Sequence, residues 1–363
     1  MRTLFWISVA AIGYVYAGYP LLLAAWARLV RRHVRRPAID AVDHWPAVSV
    51  IIAARNEAGR LPARIRNLLD IPYPGPRQVI VVSDGSTDGT SDAARTAGAD
   101  IDVVELPASG KPQALNAGVA RARGEILVFA DARQQFARHA LMELVANFTD
   151  PTVGGVTGEL IIDAERGVTA STVGDGVGLY WKYEKWLRRN ESHVWSTLGA
   201  TGAIYAMRRE LWHPLPSETL LDDVLAPMRA VLDGWRVVFE ERAQAFDRAA
   251  MDAAAESRRK VRTLAGNYQI LAQEPRLLVP FVNPVWLQYV SHKVGRLIVP
   301  WALATALVAS VVLAFDSWWF TAALAAQGVF YGLALFGAWL ERDAGHRPRA
   351  VDISAARRQG AVR

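Results

Sequence analysis

The 363-residue sequence contains no cysteine. Disulfides, thiolate catalysis and cysteine-ligated zinc are thereby excluded, in keeping with a reducing compartment. Histidine is also sparse: seven are scattered, no two at a metal-binding interval, and zinc chemistry is not expected. Nucleic-acid motifs, internal repeats and low-complexity segments are missing as well. The net charge of +6 does not restore nucleic acid as a partner. Much of the basic excess lies beside hydrophobic segments, where anionic membrane lipid accounts for it.

Those hydrophobic segments are the first positive feature. Hydrophobic residues make up 52% of the chain and the mean hydropathy is +0.12, high for a wholly soluble enzyme. Between Leu4 and Val30 the one charge is Arg28, and Arg31, Arg32, Arg35 and Arg36 follow, against Arg2 alone on the other flank. Residues 1–30 therefore read as a transmembrane anchor, with the next domain cytoplasmic and the protein in the inner (plasma) membrane. A cleaved signal peptide fits less well, because the stretch is long, the charge lies on the wrong flank and no small-x-small site follows. Leu297–Phe315 and Trp318–Leu340 are separated only by Asp316 and Ser317, which predicts a transmembrane hairpin over 294–340. Lys293 and Arg296 precede it; Arg342, Arg347 and Arg349 follow in a polar basic tail, 341–363, so the chain returns to the cytoplasm. The run 277–291, broken by Pro280, Asn283 and Pro284, is too short to cross and suits the headgroup layer, although a buried soluble helix has the same pattern.

The middle of the chain alternates between strand and helix patterns. Strands are expected at Ala47–Ala54, Gln78–Ser83, Ile101–Leu106 and Ile126–Ala130, with helices at Ala58–Leu69, Thr90–Ala97 and Gln113–Arg123. Such repetition predicts an α/β fold with a mostly parallel sheet in one cytoplasmic domain, about 42–263. Each strand ends in polar residues: Arg55-Asn56-Glu57, then Asp84-Gly85-Ser86-Thr87-Asp88-Gly89-Thr90, then Ser109-Gly110-Lys111, then Asp131-Ala132-Arg133. Singly, each has an ordinary reading: Glu57 and Asp84 as caps, Lys111 as a solvated cation, Asp131 as a turn residue. Side by side at the carboxyl edge of a parallel sheet, they predict a cleft for a nucleotide diphosphate and a divalent cation.

The ordered set Val50-Ile51-Ile52-Ala53-Ala54-Arg55-Asn56-Glu57, the Asp84 turn, Gly110-Lys111 with Ala114-Leu115-Asn116-Ala117-Gly118, Val128-Phe129-Ala130-Asp131, Thr201-Gly202-Ala203 and Leu221-Asp222-Asp223 resembles family 2 glycosyltransferases. That inverting group has a GT-A fold and includes membrane-bound cellulose, hyaluronan and poly-N-acetylglucosamine synthases. The resemblance implies a GT-A, Rossmann-like domain flanked by transmembrane helices and a role in polysaccharide or cell-envelope synthesis. It implies that Ala53, Arg55, Glu57, Asp84, Gly85, Lys111, Asp131 and Arg133 hold the nucleotide-sugar, a UDP-sugar, and that Asp131 is the metal ligand for Mg2+ or Mn2+. Asp222 and Asp223 match the family's acidic pair, whose second member is the base that takes the acceptor hydroxyl's proton. Capping of the following helix is the plain alternative. Thr201 and Gly202 fall on the acceptor side. Arg259 and Arg262 align with the Gln and Arg of the processive Gln-x-x-Arg-Trp motif, which implies Arg259 on the acceptor side and Arg262 as a catalytic cation for the leaving diphosphate, or else they form a lipid-binding basic run.

Two departures refine the expectation. Arg133 stands where the family's Asp-x-Asp has its second carboxylate, so either Asp131 binds the metal with diphosphate oxygens and water, or Arg133 takes over part of the neutralisation. Thr263 replaces the motif's tryptophan, which together with only three spans argues against processive polymerisation within one copy. Trp181, Tyr183, Trp186 and Trp195 are read as core packing. The expected reaction is therefore transfer of one or a few sugars to a lipid-linked or glycan acceptor. The alternatives are a processive synthase whose channel comes from an oligomer or a partner protein, and a catalytically silent nucleotide-sugar-binding membrane regulator.

Overall fold

The computed structural model describes residues 1–98, 100–163, 172–248 and 253–346, so the tail beyond 346 lies outside the described residues. Its strands are β1 (Val48–Ala54), β2 (Arg77–Asp84), β3 (Ile101–Leu106), β4 (Ile126–Ala130), β5 (Gln135–Phe136), β6 (Val153–Asp163), β7 (Ile204–Arg208) and β8 (Arg236–Arg248). The main helices are α1 (Arg2–Leu29), α2 (Leu61–Asp70), α3 (Thr90–Ala97), α4 (Lys111–Arg121), α5 (Ala140–Val145), α6 (Thr172–Val194), α7 (Asp222–Leu232), α8 (Ala253–Gln273), α9 (Trp286–Leu313) and α10 (Trp318–His346).

The strands form one sheet in the order β3-β2-β1-β4-β7-β6-β8-β5. β3, β2, β1 and β4 are mutually parallel; β7 runs antiparallel to both β4 and β6, and β6 pairs parallel with β8. The apolar runs are unbroken because both faces of this sheet are covered. Val48, Val50 and Ile52 pack with Leu61, Ile65 and Leu68 of α2 and with Leu141 and Leu144 of α5. Ile51 points the other way, to Leu115 of α4 and Leu225 and Ala226 of α7. Each such side chain, fully buried, contributes roughly 1.5–3 kcal/mol.

Pro62 and Pro112 lie in the first turns of α2 and α4. A proline tolerates that position because its missing N–H has no intrahelical partner there, and it explains why α2 starts at Leu61 and α4 at Lys111, offset from the helical spacing of the apolar residues.

Among the described residues three helices are long and apolar enough to cross a membrane, at Arg2–Leu29, Trp286–Leu313 and Trp318–Gly337. The chain divides into a larger unit, Gly13–Val299, and a smaller one comprising Met1–Ile12 with Pro300–Arg363. Within the smaller unit, Phe5 packs on Leu313 and Phe320, and Arg2 pairs with Asp316 at 3.2 Å. Gln327 Nε2 donates to Ser310 Oγ at 2.9 Å, so α9 and α10 share a polar contact as well as an apolar seam. Within the larger unit, Tyr19, Leu23 and Ala27 pack against Leu187 and Val194 of α6.

The run 277–291 is divided between two elements. Asn283 donates to the Leu277 carbonyl at 2.9 Å and accepts from the Val285 N–H at 3.0 Å, a local turn just before α9, which starts at Trp286, ahead of the expected 294. The residues before it form a loop whose Val279, Phe281 and Val282 are exposed.

Gly85 ends β2 with φ at 61°, and its N–H donates to the Leu106 carbonyl at 2.8 Å. A Cβ there would lie 2.6 Å from the Ala108 backbone nitrogen, so both torsion and space exclude a side chain. Gly85→Ala is expected to destabilise the domain by about 2 kcal/mol or more, read as a lower unfolding midpoint of the detergent-solubilised protein.

Candidate active site

The loops at the carboxyl ends of β1 and β2 are stitched together. Asn56 adopts φ 55° and accepts from the Thr87 N–H at 2.9 Å, and its own N–H donates to Ser86 Oγ at 3.1 Å. The Glu57 N–H donates to Thr90 Oγ1 at 2.9 Å, and that of Ala58 to Asp88 Oδ2 at 3.0 Å. Much of the polar chemistry of the Asp84 turn is thus spent in joining two loops. Asp84 itself is 4% exposed and accepts from the backbone N–H groups of Ser109 at 2.6 Å and Gly110 at 3.0 Å. Its carboxylate shapes the turn that launches α4.

Lys111 is the first residue of that helix, and its ammonium lies 3.3 Å from Asp131 Oδ1 and 3.4 Å from Asp222 Oδ2. Asp131 follows β4, whereas Asp222 and Asp223 open α7, so two distant segments converge on one cation. Burial works against the Lys111 charge, but Asp222, Asp131 and Asp223 outweigh it and hold the ammonium above its usual range. Asp222 is 2% exposed, and its Oδ2 accepts no hydrogen bond among the described residues. Burial first, and then the Asp222 charge, push Asp223 up to about 6, with Lys111 and Lys293 opposing the rise.

Asp223 is held by a glycine-containing loop. Its Oδ2 accepts from the Gly202 N–H at 3.2 Å, and its backbone carbonyl accepts from the Ala200 N–H at 2.7 Å. The adjoining Thr201 donates its N–H to Thr157 Oγ1 at 2.8 Å, and Arg188 of α6 reaches the Thr201 hydroxyl at 2.6 Å.

Two neighbours of this cluster escaped the reading of the sequence. Tyr205 of β7 is 1% exposed and stacks on Phe129 with ring centroids 4.5 Å apart. Its hydroxyl has no hydrogen-bond partner among the described residues, and burial followed by the charges of Asp222, Asp223 and Asp131 drives its pKa well up. The only sequence signal is its position two residues beyond Thr201-Gly202-Ala203, on the next strand. Arg188 carries no motif at all. Trp181 and Trp186, read as core residues, are exposed on α6.

The remaining expected residues lie at varied positions. Ala53 is half-buried near the end of β1 and Arg55 is exposed just beyond it. Glu57 pairs with Arg60 at 3.1 Å. Arg133 forms an ion pair with Asp247 of β8, a carboxylate that also accepts from Gln134 Nε2 at 2.9 Å. Its charge is therefore already matched by an anion from across the sheet. Arg262 donates to the Leu220 carbonyl at 3.0 Å, bracing the loop that leads into α7, and Arg259 lies on an exposed part of the same helix, α8.

Among the described residues no three His, Cys, Asp or Glu side chains form a metal-ligating group. A cation that arrives with a diphosphate needs less, since Mg2+ commonly uses one or two carboxylates with phosphate oxygens and water. Asp131, partly exposed and paired with Lys111 through Oδ1, and the buried Asp222 Oδ2 that accepts no hydrogen bond fit that lesser requirement.

A Cβ on Gly202 would lie 3.0 Å from Asp223 Oδ2. Gly202→Ala is expected to displace that carboxylate by a few tenths of an ångström and lower kcat about tenfold while leaving nucleotide affinity unchanged, as steady-state kinetics and calorimetry would measure.

Comparison with known proteins agrees with this geometry. Residues 49–213 match the family model described as Glycosyl transferase family 2. An N-acetylglucosaminyltransferase of Rhizobium meliloti (strain 1021) is 32% identical over 190 residues, 48% of this chain and 43% of that protein. A beta-monoglucosyldiacylglycerol synthase of Nostoc sp. is 26% identical over 210 residues, 53% of this chain and 42% of that protein. The chain thus spans less than half the length of either curated relative. Among solved structures, a mannosyltransferase from Pyrobaculum calidifontis in complex with GDP-Man and Mn2+ superposes with a TM-score of 0.69 at 26% identity, covering 91% of this chain and 92% of that one. The strand order and these matches give the chain a GT-A fold, and its residues 49–213 match glycosyl transferase family 2.

Proposed function

We propose that the protein is a membrane-anchored inverting glycosyltransferase that moves a sugar from a nucleotide-diphosphate sugar to a hydroxyl of a lipid-linked or glycan acceptor. The observation that carries this reading is the meeting of Asp131, Asp222 and Asp223 around the Lys111 ammonium, with Asp223 gripped by the Gly202 N–H. Inverting transfer is a single displacement. The acceptor oxygen bonds to the anomeric carbon as the bond from that carbon to the diphosphate breaks, its electron pair leaves with the diphosphate, and the hydroxyl proton passes to Asp223.

A carboxylate whose pKa rises to about 6 remains ionised at neutral pH and is a stronger base than a solvated aspartate. Lys111 offers a fixed cation where the departing diphosphate gains charge, on a helix N-terminus that favours anions. Asp131 and Asp222 would hold Mg2+ or Mn2+ carried in with the donor; when bound, the ion neutralises the leaving diphosphate. The Pyrobaculum relative, crystallised with GDP-Man and Mn2+, supports such a pairing. UDP-sugars and GDP-Man are the donors to compare first.

Membrane anchoring rests on the three apolar helices and on the arginine cluster after α1. The Arg2–Asp316 pair joins the start of α1 to the α9–α10 turn, which supports placing both on one side of the membrane. The exposed Val279, Phe281 and Val282 then dip into the headgroup layer.

Asp223→Asn is expected to lower sugar transfer at least about a thousandfold while nucleotide binding stays within about twofold, measured by product formation and calorimetry across a donor panel. Normal transfer by that variant would remove Asp223 from the mechanism, and nucleotide binding with no transfer by the wild type would favour a regulator. In the wild type, kcat/KM should be flat above about pH 7 and fall tenfold per unit below about 6, as the base gains its proton. Asp222→Asn removes a neighbouring negative charge and should move that limb to lower pH.

A further inference from the structure

A second recess opens beside the candidate base. It lies between α6 and the ends of β6 and β8, encloses about 130 Å³, and is lined by Trp181, Lys185, Arg188, Glu159, Glu184 and Thr201 among others. Small-molecule pockets usually hold roughly 300–1,000 Å³, so this one takes a single chemical group of a larger ligand. Thr201 belongs to its wall, and the next residue, Gly202, donates to Asp223. A group seated here is therefore covalently within reach of a hydroxyl at the base.

The charges in the recess are unequal in their partners. Lys185 pairs with Glu159 at 2.7 Å and with Glu241 at 3.4 Å. Glu184 is taken by Arg296, with His292 at 3.8 Å. Arg188 donates to the Thr201 hydroxyl at 2.6 Å and lies 5.7 Å over the Phe239 ring; among the described residues no carboxylate is within ion-pair distance of it, while Glu184, Glu191, Asp223 and Glu159 lie near enough to favour its charge against burial. A half-buried guanidinium in direct contact with only a hydroxyl and a ring has unused donors in a planar fork that suits an oxyanion.

Helical spacing separates the two duties of α6. Residues 181, 185 and 188 share the face that lines the recess, whereas Leu187 and Val194 pack against Tyr19, Leu23 and Ala27 of α1. The recess is thereby tied to the helix that anchors the domain, and Trp181 lies at its exposed edge, where an aromatic face suits a sugar ring or an acyl-bearing head group.

We infer that this recess is the acceptor subsite and that it holds an oxyanion of the acceptor, a phosphate or a carboxylate, paired with Arg188 while the accepting hydroxyl reaches Asp223. The inference deepens the proposed glycosyl transfer and rests on it. The oxyanion can come from a soluble sugar or from a lipid head group, and Arg188 serves either source by the same paired N–H bonds.

The test uses full-length protein. In neutral phosphatidylcholine nanodiscs, calorimetry would compare glucose 6-phosphate, glucuronate and uncharged glucose; in a second arm, protein extracted from vesicles of equal phosphatidylglycerol and phosphatidylcholine would be assayed for retained lipid. UDP and GDP binding would be measured on the same samples. At least tenfold tighter binding of an anionic sugar than of glucose, or selective retention of phosphatidylglycerol, is expected in the wild type. Arg188→Gln should lose that preference, Arg188→Lys should keep part of it, and nucleotide affinity should not change in either. Should Arg188→Gln fail to fold, Trp181→Ala at the exposed edge is expected to weaken anion binding at least threefold. No preference for an anion in either arm, or a preference untouched in these variants, overturns the inference. Loss of nucleotide binding in the wild type would instead defeat the glycosyltransferase reading and leave the anion measurement standing.

Discussion

The arrangement of the site depends on one cation. Asp131, Asp222 and Asp223 come from two distant segments and meet in a partly enclosed region, where like charges repel strongly. The Lys111 ammonium offsets them, and a buried charge that loses its partner typically costs about 3–5 kcal/mol. The lysine is itself positioned at one remove. Asp84, on the neighbouring strand, grips the backbone of Ser109 and Gly110 and so fixes where α4 begins. A carboxylate without direct access to the cleft thus determines where the cation stands.

The sheet explains why these groups can meet. β1 lies between β2 and β4 in parallel, so the loops after β2, β3 and β4 emerge at one edge. The antiparallel β7 then carries Gly202 and Tyr205 to the same edge from the opposite chain direction, and α7 packs its apolar side on the sheet with Asp222 and Asp223 at its start. Acidic residues in a first helical turn are favoured by the helix dipole, which lessens the cost of placing them there. In Asp223 that preference coexists with burial and a like-charged neighbour, whose net effect is a more basic carboxylate.

Substitutions in the family motif become intelligible in the same frame. Arg133 occupies the place of the second carboxylate of Asp-x-Asp, and Asp247 of β8 matches its charge across the sheet. The electrostatic balance is kept locally, and Asp131 pairs with Lys111. Arg262 likewise acts on the Leu220 carbonyl, bracing the chain just before the acidic pair.

Strands, helices and the parallel half of the sheet were legible in the sequence, because continuous apolar runs and 3.6-residue spacing are local consequences of which faces must be buried. Ile101–Leu106, Ile126–Ala130 and Thr90–Ala97 have the bounds that pattern predicts. The proline-bearing starts of α2 and α4 and the Asn283 turn ahead of α9 shifted other boundaries, since local chemistry outweighs periodicity at a helix end. The identities of Lys111, Asp131 and Asp223 were legible only through motif order, and Tyr205 and Arg188 not at all. A partner's absence cannot be read along a chain: that among the described residues the Tyr205 hydroxyl accepts and donates no hydrogen bond, that Arg188 has no carboxylate within ion-pair distance, and that Arg133 is already paired are facts of packing between segments tens to more than a hundred residues apart. Sequence by itself determined the elements and the kinds of charge available; tertiary structure alone decided which charges meet, because Coulomb energy depends on distance and burial, neither of which is a property of chain order.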